Sequence, residues 1–408
     1  MVEPRLEPAA LVLGLDSHGL AVARALADSG VAVYALEKDL NQPGVRSNRV
    51  KHVFKVRDYA AEHLVPDLLA VRQSLHRHPS VTLLAINDRQ VETIARHLPD
   101  LQPAYCIAWA DVAARILMLQ DKNTLHAVCD RQGLFYPRSV TFHACDDSNL
   151  AAGMRYPLII KPVRPLSSFK ALLARNAQEL GAQLQAYSHD LPILCQEYVP
   201  GDDRQIYFGA LMLDRGRVCG ALTGRKIASH PPALGQTTVA ETVEEPEVLR
   251  LTEQFFADFG LSGPVSLELK RDAEGRYWVI EPTVGRTDFW AELCVSAGFN
   301  QPLMEYQLAI GLKPQPPRNP TQRVWFDCER DPIAYLRLSW SEKSLYPMGK
   351  KPAFLYFGHD DSKPAVCSMQ RLAQQAWRRV SGRQGRSLAA MLPAAPTAER
   401  SLGKNGRI

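Results

Sequence analysis

Among its 408 residues the chain has no Cys-x-x-Cys pair, no run of about 18 apolar residues and no large surplus of one charge. Its eight cysteines are scattered, which suits reduced thiols better than a disulfide framework or a zinc site. Without a long apolar run no membrane span is expected. The first apolar stretch is cut short at Asp16, so no signal peptide is expected and the setting reads as cytoplasmic. The net charge of +5 is modest, and part of it lies in a C-terminal tail where Arg378, Arg379, Arg383, Arg386, Arg400, Lys404 and Arg407 outnumber Glu399. That tail reads as a solvated, disordered end, and the balance gives no signal for nucleic-acid binding by a main domain. There is no G-x-S-x-G, H-E-x-x-H or G-x-x-x-x-G-K-[ST], which argues against an α/β-hydrolase, a zincin and a P-loop NTPase.

What is present begins with alternation. The stretch 10-ALVLGL-15 reads as a buried strand and 19-GLAVARALADSG-30 as a helix, followed by strands at 31-VAVYALE-37 and 81-VTLLAIN-87. Apolar strands separated by helices imply a parallel sheet covered on both faces, a Rossmann-like domain over 1–115. The turn G-L-D-S-H-G at 14–19, with Glu37 about 20 residues on, raises a nicotinamide-dependent oxidoreductase. Asp16 occupies the position where the pyrophosphate needs a bare backbone, so that reading is disfavoured. The H-x-H at His76 and His78 reads as solvent-exposed.

A small α/β unit follows over 116–195, entered through helices expected to be capped by Asp111 and Asp121, the second ending at Gly133. Its strands are 156-YPLIIKP-162 and 192-PILCQEYVPG-201. Long β segments over 196–313 (205–213, 216–227, 264–272 and 276–282) imply an antiparallel sheet, interrupted by a helix at 246–260. Prolines at 314, 316, 317 and 320 mark a boundary before a small appended segment at 323–380, and disorder is expected over 381–408.

The chemistry concentrates on Glu268 and Glu281, on consecutive strands joined by 272-DAEG-275. A two- or four-residue loop would put both on one face, because strand side chains alternate; an odd loop would separate them. Two carboxylates on one face need a cation, and hard oxygen ligands suit Mg²⁺ with substrate phosphates and waters. A pair of solvated strand-end acids is the alternative. Upstream, Lys161 ends an apolar strand where it can reach a phosphate. Trp278, Phe289 and Trp290 read either as pocket lining or as core.

Taken in order, I-I-K-P, Q-E-Y-V-P-G and E-x12-E resemble the ATP-grasp superfamily, in particular its carboxylate–amine ligases of the D-aspartate ligase and carbamoyl-phosphate-synthase-like kind, over roughly residues 8–312. The resemblance implies an α/β and α+β chain: a Rossmann-like pre-ATP-grasp domain, a small α/β lid and a larger antiparallel-sheet domain, with ATP between the last two. It implies Lys122 and Lys161 on the nucleotide phosphates, Glu197 with the backbone of Tyr198 and Val199 at adenine, and Asp203 at the ribose. Glu268, Glu281 and Thr283 match the metal positions, for one or two magnesium ions or manganese. Arg286 matches the arginine that steadies the acyl phosphate, and Arg225 and Lys226 would face phosphate or the substrate carboxylate.

Three positions depart from the family pattern. Thr283 stands where asparagine is usual. The phosphate loop 164-RPLSSFK-170 has no glycine and offers Ser167 and Ser168 instead. Asp203 is displaced by one residue. The implied activity is Mg-dependent joining of a small carboxylate to an amine through an acyl phosphate, in a chain that could act as a homodimer. A nucleotide-binding scaffold that has lost chemistry is the alternative, supported by the first two departures.

Overall fold

Four parallel strands form the first sheet, ordered β3-β2-β1-β4: β1 Ala9–Leu13, β2 Ala32–Glu37, β3 His52–Lys55 and β4 Val81–Leu84. The computed structural model describes residues 7–145, 150–163, 169, 171–232, 235–317, 321–338 and 351–389. Every residue of β1 is buried, as a strand covered on both faces must be. Asp16 caps the helix Ser17–Ala27, its carboxylate accepting from the Gly19 N–H at 3.0 Å. Glu37 is buried and accepts from the N–H groups of Leu15 (2.6 Å) and Asp39 (2.9 Å). Both acids of the dinucleotide-like pattern therefore serve the backbone.

Three local expectations are corrected here. The helices Ala113–Gln120 and Leu125–Gln132 start after Val112 and Thr124, without side-chain caps, so Asp111 and Asp121 do not cap them. Asp121 instead accepts from the Asn123 N–H at 3.0 Å, shaping the turn that carries Lys122. Gly133 does end the second helix, in the left-handed region at φ 64°. His78 is buried, with its ring nitrogens against Tyr34 Oη and the Glu7 carbonyl, rather than solvent-exposed.

The second sheet is antiparallel, ordered β5-β8-β6-β7: β5 Ser139–Phe142, β6 Leu158–Pro162, β7 Leu172–Ala174 and β8 Ile193–Glu197. The helix Ala177–Ala186, capped by Asn176, lays Leu180 and Leu184 on its core with Phe142, Ile160 and Cys195. The third sheet has seven strands in the order β13-β12-β9-β10-β11-β14-β15: β9 Ile206–Asp214, β10 Arg217–His230, β11 Gln236–Thr242, β12 Gly263–Arg271, β13 Tyr277–Val284, β14 Arg323–Phe326 and β15 Lys351–Phe354.

The stretch from 323 is therefore not a separate appended unit. Its apolar run Val324–Phe326 pairs with β11, with Val324 and Phe326 buried against Ile227 and Val239 and Trp325 buried on the other face, lengthening the large sheet. It is also fastened to the first sheet's helix. Arg24 donates to Asp361 Oδ2 at 2.9 Å and to the carbonyls of Leu355, Tyr356 and Asp361. The helix Lys363–Ala389 runs past Ser381, where disorder was expected; residues 390–408 lie outside the described residues.

Candidate nucleotide and metal site

A cleft of about 810 Å³ opens where the three sheets meet. Its floor is built by β12 and β13. The ladder runs Arg271↔Tyr277, Lys270↔Trp278 and Leu269↔Val279, so the connecting loop holds an odd number of residues. In a regular ladder that parity would put Glu268 and Glu281 on opposite faces. A register shift between Glu268 and Leu269 skips Ile280 and restores the match, pairing Glu268 directly with Glu281. Both carboxylates line the cleft. The condition set for the loop fails, and a β-bulge compensates for it.

The cations stand around this pair. Lys122 Nζ lies 3.2 Å from Glu281 Oε1, and Lys161, at the end of β6, lines the same cleft. Arg286 Nε is 2.6 Å from Asp88 Oδ1, and its side chain is 11% exposed. Burial works against its charge, but Asp88, Asp288 and Glu281 together raise its pKa further above the ordinary range. Thr283 donates its hydroxyl to Asp288 Oδ2 at 3.1 Å, and Ser266 donates to the same oxygen at 3.0 Å. Among the described residues no three His, Cys, Asp or Glu side chains gather as a metal site. Two paired carboxylates with a hydroxyl nearby nonetheless fit magnesium, which usually takes one or two protein carboxylates and completes its shell with phosphates and water.

Glu197, Tyr198 and Val199 line the cleft where β8 ends. Glu197 accepts from the Arg155 N–H at 2.9 Å and from its guanidinium at 3.1 Å. The N–H of Tyr198 donates to the Pro157 carbonyl, while Val199 has no hydrogen-bond partner among the described residues. Lys226 and Arg225 cannot both face inward, because neighbours on a strand alternate. Lys226 lines the cleft, whereas Arg225 is held by Glu241, its Nε at 3.1 Å. Arg225 is thereby corrected out of the site. Asp203 is buried, 3.2 Å from Lys226 Nζ, and accepts from Ser229 Oγ at 2.7 Å; it does not line the cleft. Ser167 and Ser168 lie outside the described residues.

No protein-family model matches the chain, and no curated protein matches it. Solved structures do. An L-amino acid ligase from Bacillus licheniformis superposes with a TM-score of 0.57 at 16% identity, covering 76% of this chain and 76% of that one. A biotin carboxylase–β,γ-ATP complex from Campylobacter jejuni gives 0.63 at 12% identity, covering 77% and 74%. A biotin carboxylase domain dimer from Hydrogenobacter thermophilus, in complex with MgADP, ADP and bicarbonate, gives 0.59 at 15%, covering 77% and 73%. The chain has the ATP-grasp fold.

Within this ATP-grasp fold the cleft contains groups that sequence reasoning missed. Lys270, two residues past Glu268, donates to the Gly201 carbonyl at 2.9 Å and lies 4.3 Å from the Tyr198 ring centroid. Burial, then the charge of Lys226, lowers its pKa to about 8. The same-face period of two could have flagged it. The loops and helix starts around the cleft add Asp16, His18, Asp88, Asp288 and Arg330 to its lining. His18 is buried, its ring bonded to the Ile86 carbonyl (2.9 Å) and Thr287 Oγ1 (2.8 Å), and burial lowers its pKa to about 4. Arg330 lies 3.6 Å from Asp327 and contacts Gln236. Of the aromatics, Phe289 lines the cleft, while Trp290 is core, stacked on Phe208 at 4.0 Å.

Proposed function

We propose that this chain is an ATP-dependent ligase that activates a carboxylate as an acyl phosphate and joins it to an amine. The observation that carries the proposal is the bulged register that sets Glu268 against Glu281, in one cleft with Lys122, Lys161 and Arg286. Glu268 and Glu281 would hold magnesium, with the Thr283 hydroxyl beside them. Bound there, the metal would neutralise charge on the transferring phosphoryl group. Lys122 and Lys161 bind phosphate oxygens; Lys122 leaves its contact with Glu281 to do so. The 197–199 stretch receives adenine through the Val199 backbone. Arg286 faces the acyl phosphate oxygens, and Lys226 neutralises the floor beside them. Positioning and charge compensation in a partly closed cleft supply the catalysis.

A second reading has one observation behind it: the position beside the paired acids is Thr283, a hydroxyl turned toward Asp288 in place of an amide, which supports a nucleotide-binding protein without turnover. An ADP-release screen with Mg·ATP and libraries of carboxylates and amines separates the two. ADP formed with one substrate pair supports the ligase, and ATP binding without ADP in any pair supports the scaffold. Thermal shift with ATP and Mg²⁺ against NAD tests the nucleotide; a shift with NAD alone would overturn both readings. A cytoplasmic setting is part of the proposal, supported by eight free cysteines and, among the described residues, by no helix long and apolar enough to cross a membrane. So is a homodimer, to be checked by light scattering.

A further inference from the structure

Asp88 is the acid of the first sheet that reaches Arg286. It opens the helix Asp88–Arg96 after β4, yet the cap is Asn87, whose side chain accepts from the Gln90 N–H at 3.0 Å. Asp88 is therefore not tied up in capping. Its Oδ1 lies 2.6 Å from Arg286 Nε, and its side chain is 44% exposed, so it is fixed on one side and open to the cleft on the other. The other groups near Arg286 are committed. His18 uses both ring nitrogens within the protein. Asp288 accepts from Ser266, Thr283 and the Phe289 N–H. Asp16 accepts from Gly19. Glu281 contacts Lys122 and belongs to the metal position.

An amine at neutral pH arrives as an ammonium and cannot attack until it loses a proton. It also needs a negative group to hold it beside a cation-lined reaction centre. We propose that Asp88 receives the incoming amine: its carboxylate binds the ammonium next to Arg286 and takes one proton from it. The neutral nitrogen then attacks the acyl carbon. The C–N bond forms, the bond from that carbon to the phosphate oxygen breaks, and the second nitrogen proton leaves with the phosphate as hydrogen phosphate. Asp88 returns its proton to water. The inference rests on the ligase reading and assigns an acceptor class to it: amines that are cationic in solution.

The test uses the full chain, Mg·ATP and the standard L-amino acids as carboxylates, with hydroxylamine or a second L-amino acid as nucleophile. Hydroxylamine is mostly uncharged at neutral pH, so it traps an acyl phosphate as hydroxamate without needing an acid to deprotonate it. In Asp88→Asn the ratio of amide to hydroxamate formation is expected to fall by about 10²-fold or more, the lower end of what a positioned base contributes. Asp88→Glu should recover part of that ratio. An unchanged ratio, whether both rates fall together or neither does, overturns the proposal and leaves Asp88 as a partner that only positions Arg286. ATP-induced thermal shift of Asp88→Asn checks that the variant folds. Wild-type protein giving neither hydroxamate nor ADP overturns the ligase reading itself, and this proposal with it.

Discussion

The two ends of the cleft are built differently. On the side proposed for the nucleotide the side chains sit on strands: Lys161 on β6, Lys226 on β10, Glu268 and Lys270 on β12, Glu281 on β13. Hydrogen-bond ladders hold them at fixed spacings, and two buried lysines flank Asp203. On the other side, Asp16, Arg286, Asp288 and Arg330 come from loops and Asp88 from the first turn of a helix, after four different strands, and they mix both signs. A strand floor suits a ligand that is always the same, a nucleotide triphosphate. Loops pinned by ion pairs suit a partner that varies, since loops carry function on a rigid scaffold.

Removing one acid of the proposed metal pair should break the proposed nucleotide end outright. Glu281→Gln keeps size and hydrogen bonding but removes the charge opposite Glu268, and turnover is expected to fall by about 10²–10³-fold, the range for losing one preorganised electrostatic group. Magnesium titration of ADP release is the measurement. Unchanged magnesium dependence would remove Glu281 from the site. Arg330→Gln should act at the other end alone. It removes a positive charge that lines the cleft, so KM for the carboxylate should rise by about 10-fold, equivalent to about 1.4 kcal/mol, while ATP affinity holds. A parallel loss of ATP affinity would erase the distinction between the ends.

The same contrast explains what was legible in the chain. That Lys161, Lys226, Glu268 and Glu281 line one cleft was readable because strands turn sequence spacing into spatial spacing. Even there the register was not readable: the odd loop predicts separated carboxylates, and the bulge at Ile280 has no marker such as glycine. Arg225 was misplaced although strict alternation excludes it beside Lys226. The partner of Arg286 was out of reach, because Asp88 lies 198 positions away and only the fold brings the two together. The first sheet was readable from its apolar runs. The short strand β14 was not recognised as part of the large sheet, since four residues carry little periodicity.

Thr283 offers a smaller effect. Thr283→Asn would place an amide where it can donate to Asp288 and still present a neutral oxygen toward the metal position. Magnesium affinity, read from the same titration, should rise by a few-fold, about 1 kcal/mol or less. A fall would show that the threonine–aspartate bond holds the acids in place.

Finally, the two ends should titrate apart. His18 in the folded chain has a pKa of about 4, against 6.5 when exposed, because burial disfavours its charge. Between those values the unfolded chain binds a proton that the folded chain does not, so stability falls as pH drops from 6.5 toward 4. His18→Gln should flatten that slope in thermal melts. Lys270 has a folded pKa of about 8, against 10.5 exposed, through burial and then Lys226, with Asp203, Glu268 and Asp202 opposing. Here the unfolded chain is protonated between 10.5 and 8 while the folded chain is not. Stability is therefore lost as pH falls through that window, and the penalty is complete below 8. Lys270→Met should melt higher than wild type below pH 8, with the gap closing toward pH 10.5. If one variant altered both windows, the ends would be electrostatically coupled, and the division of labour between floor and loops would fail.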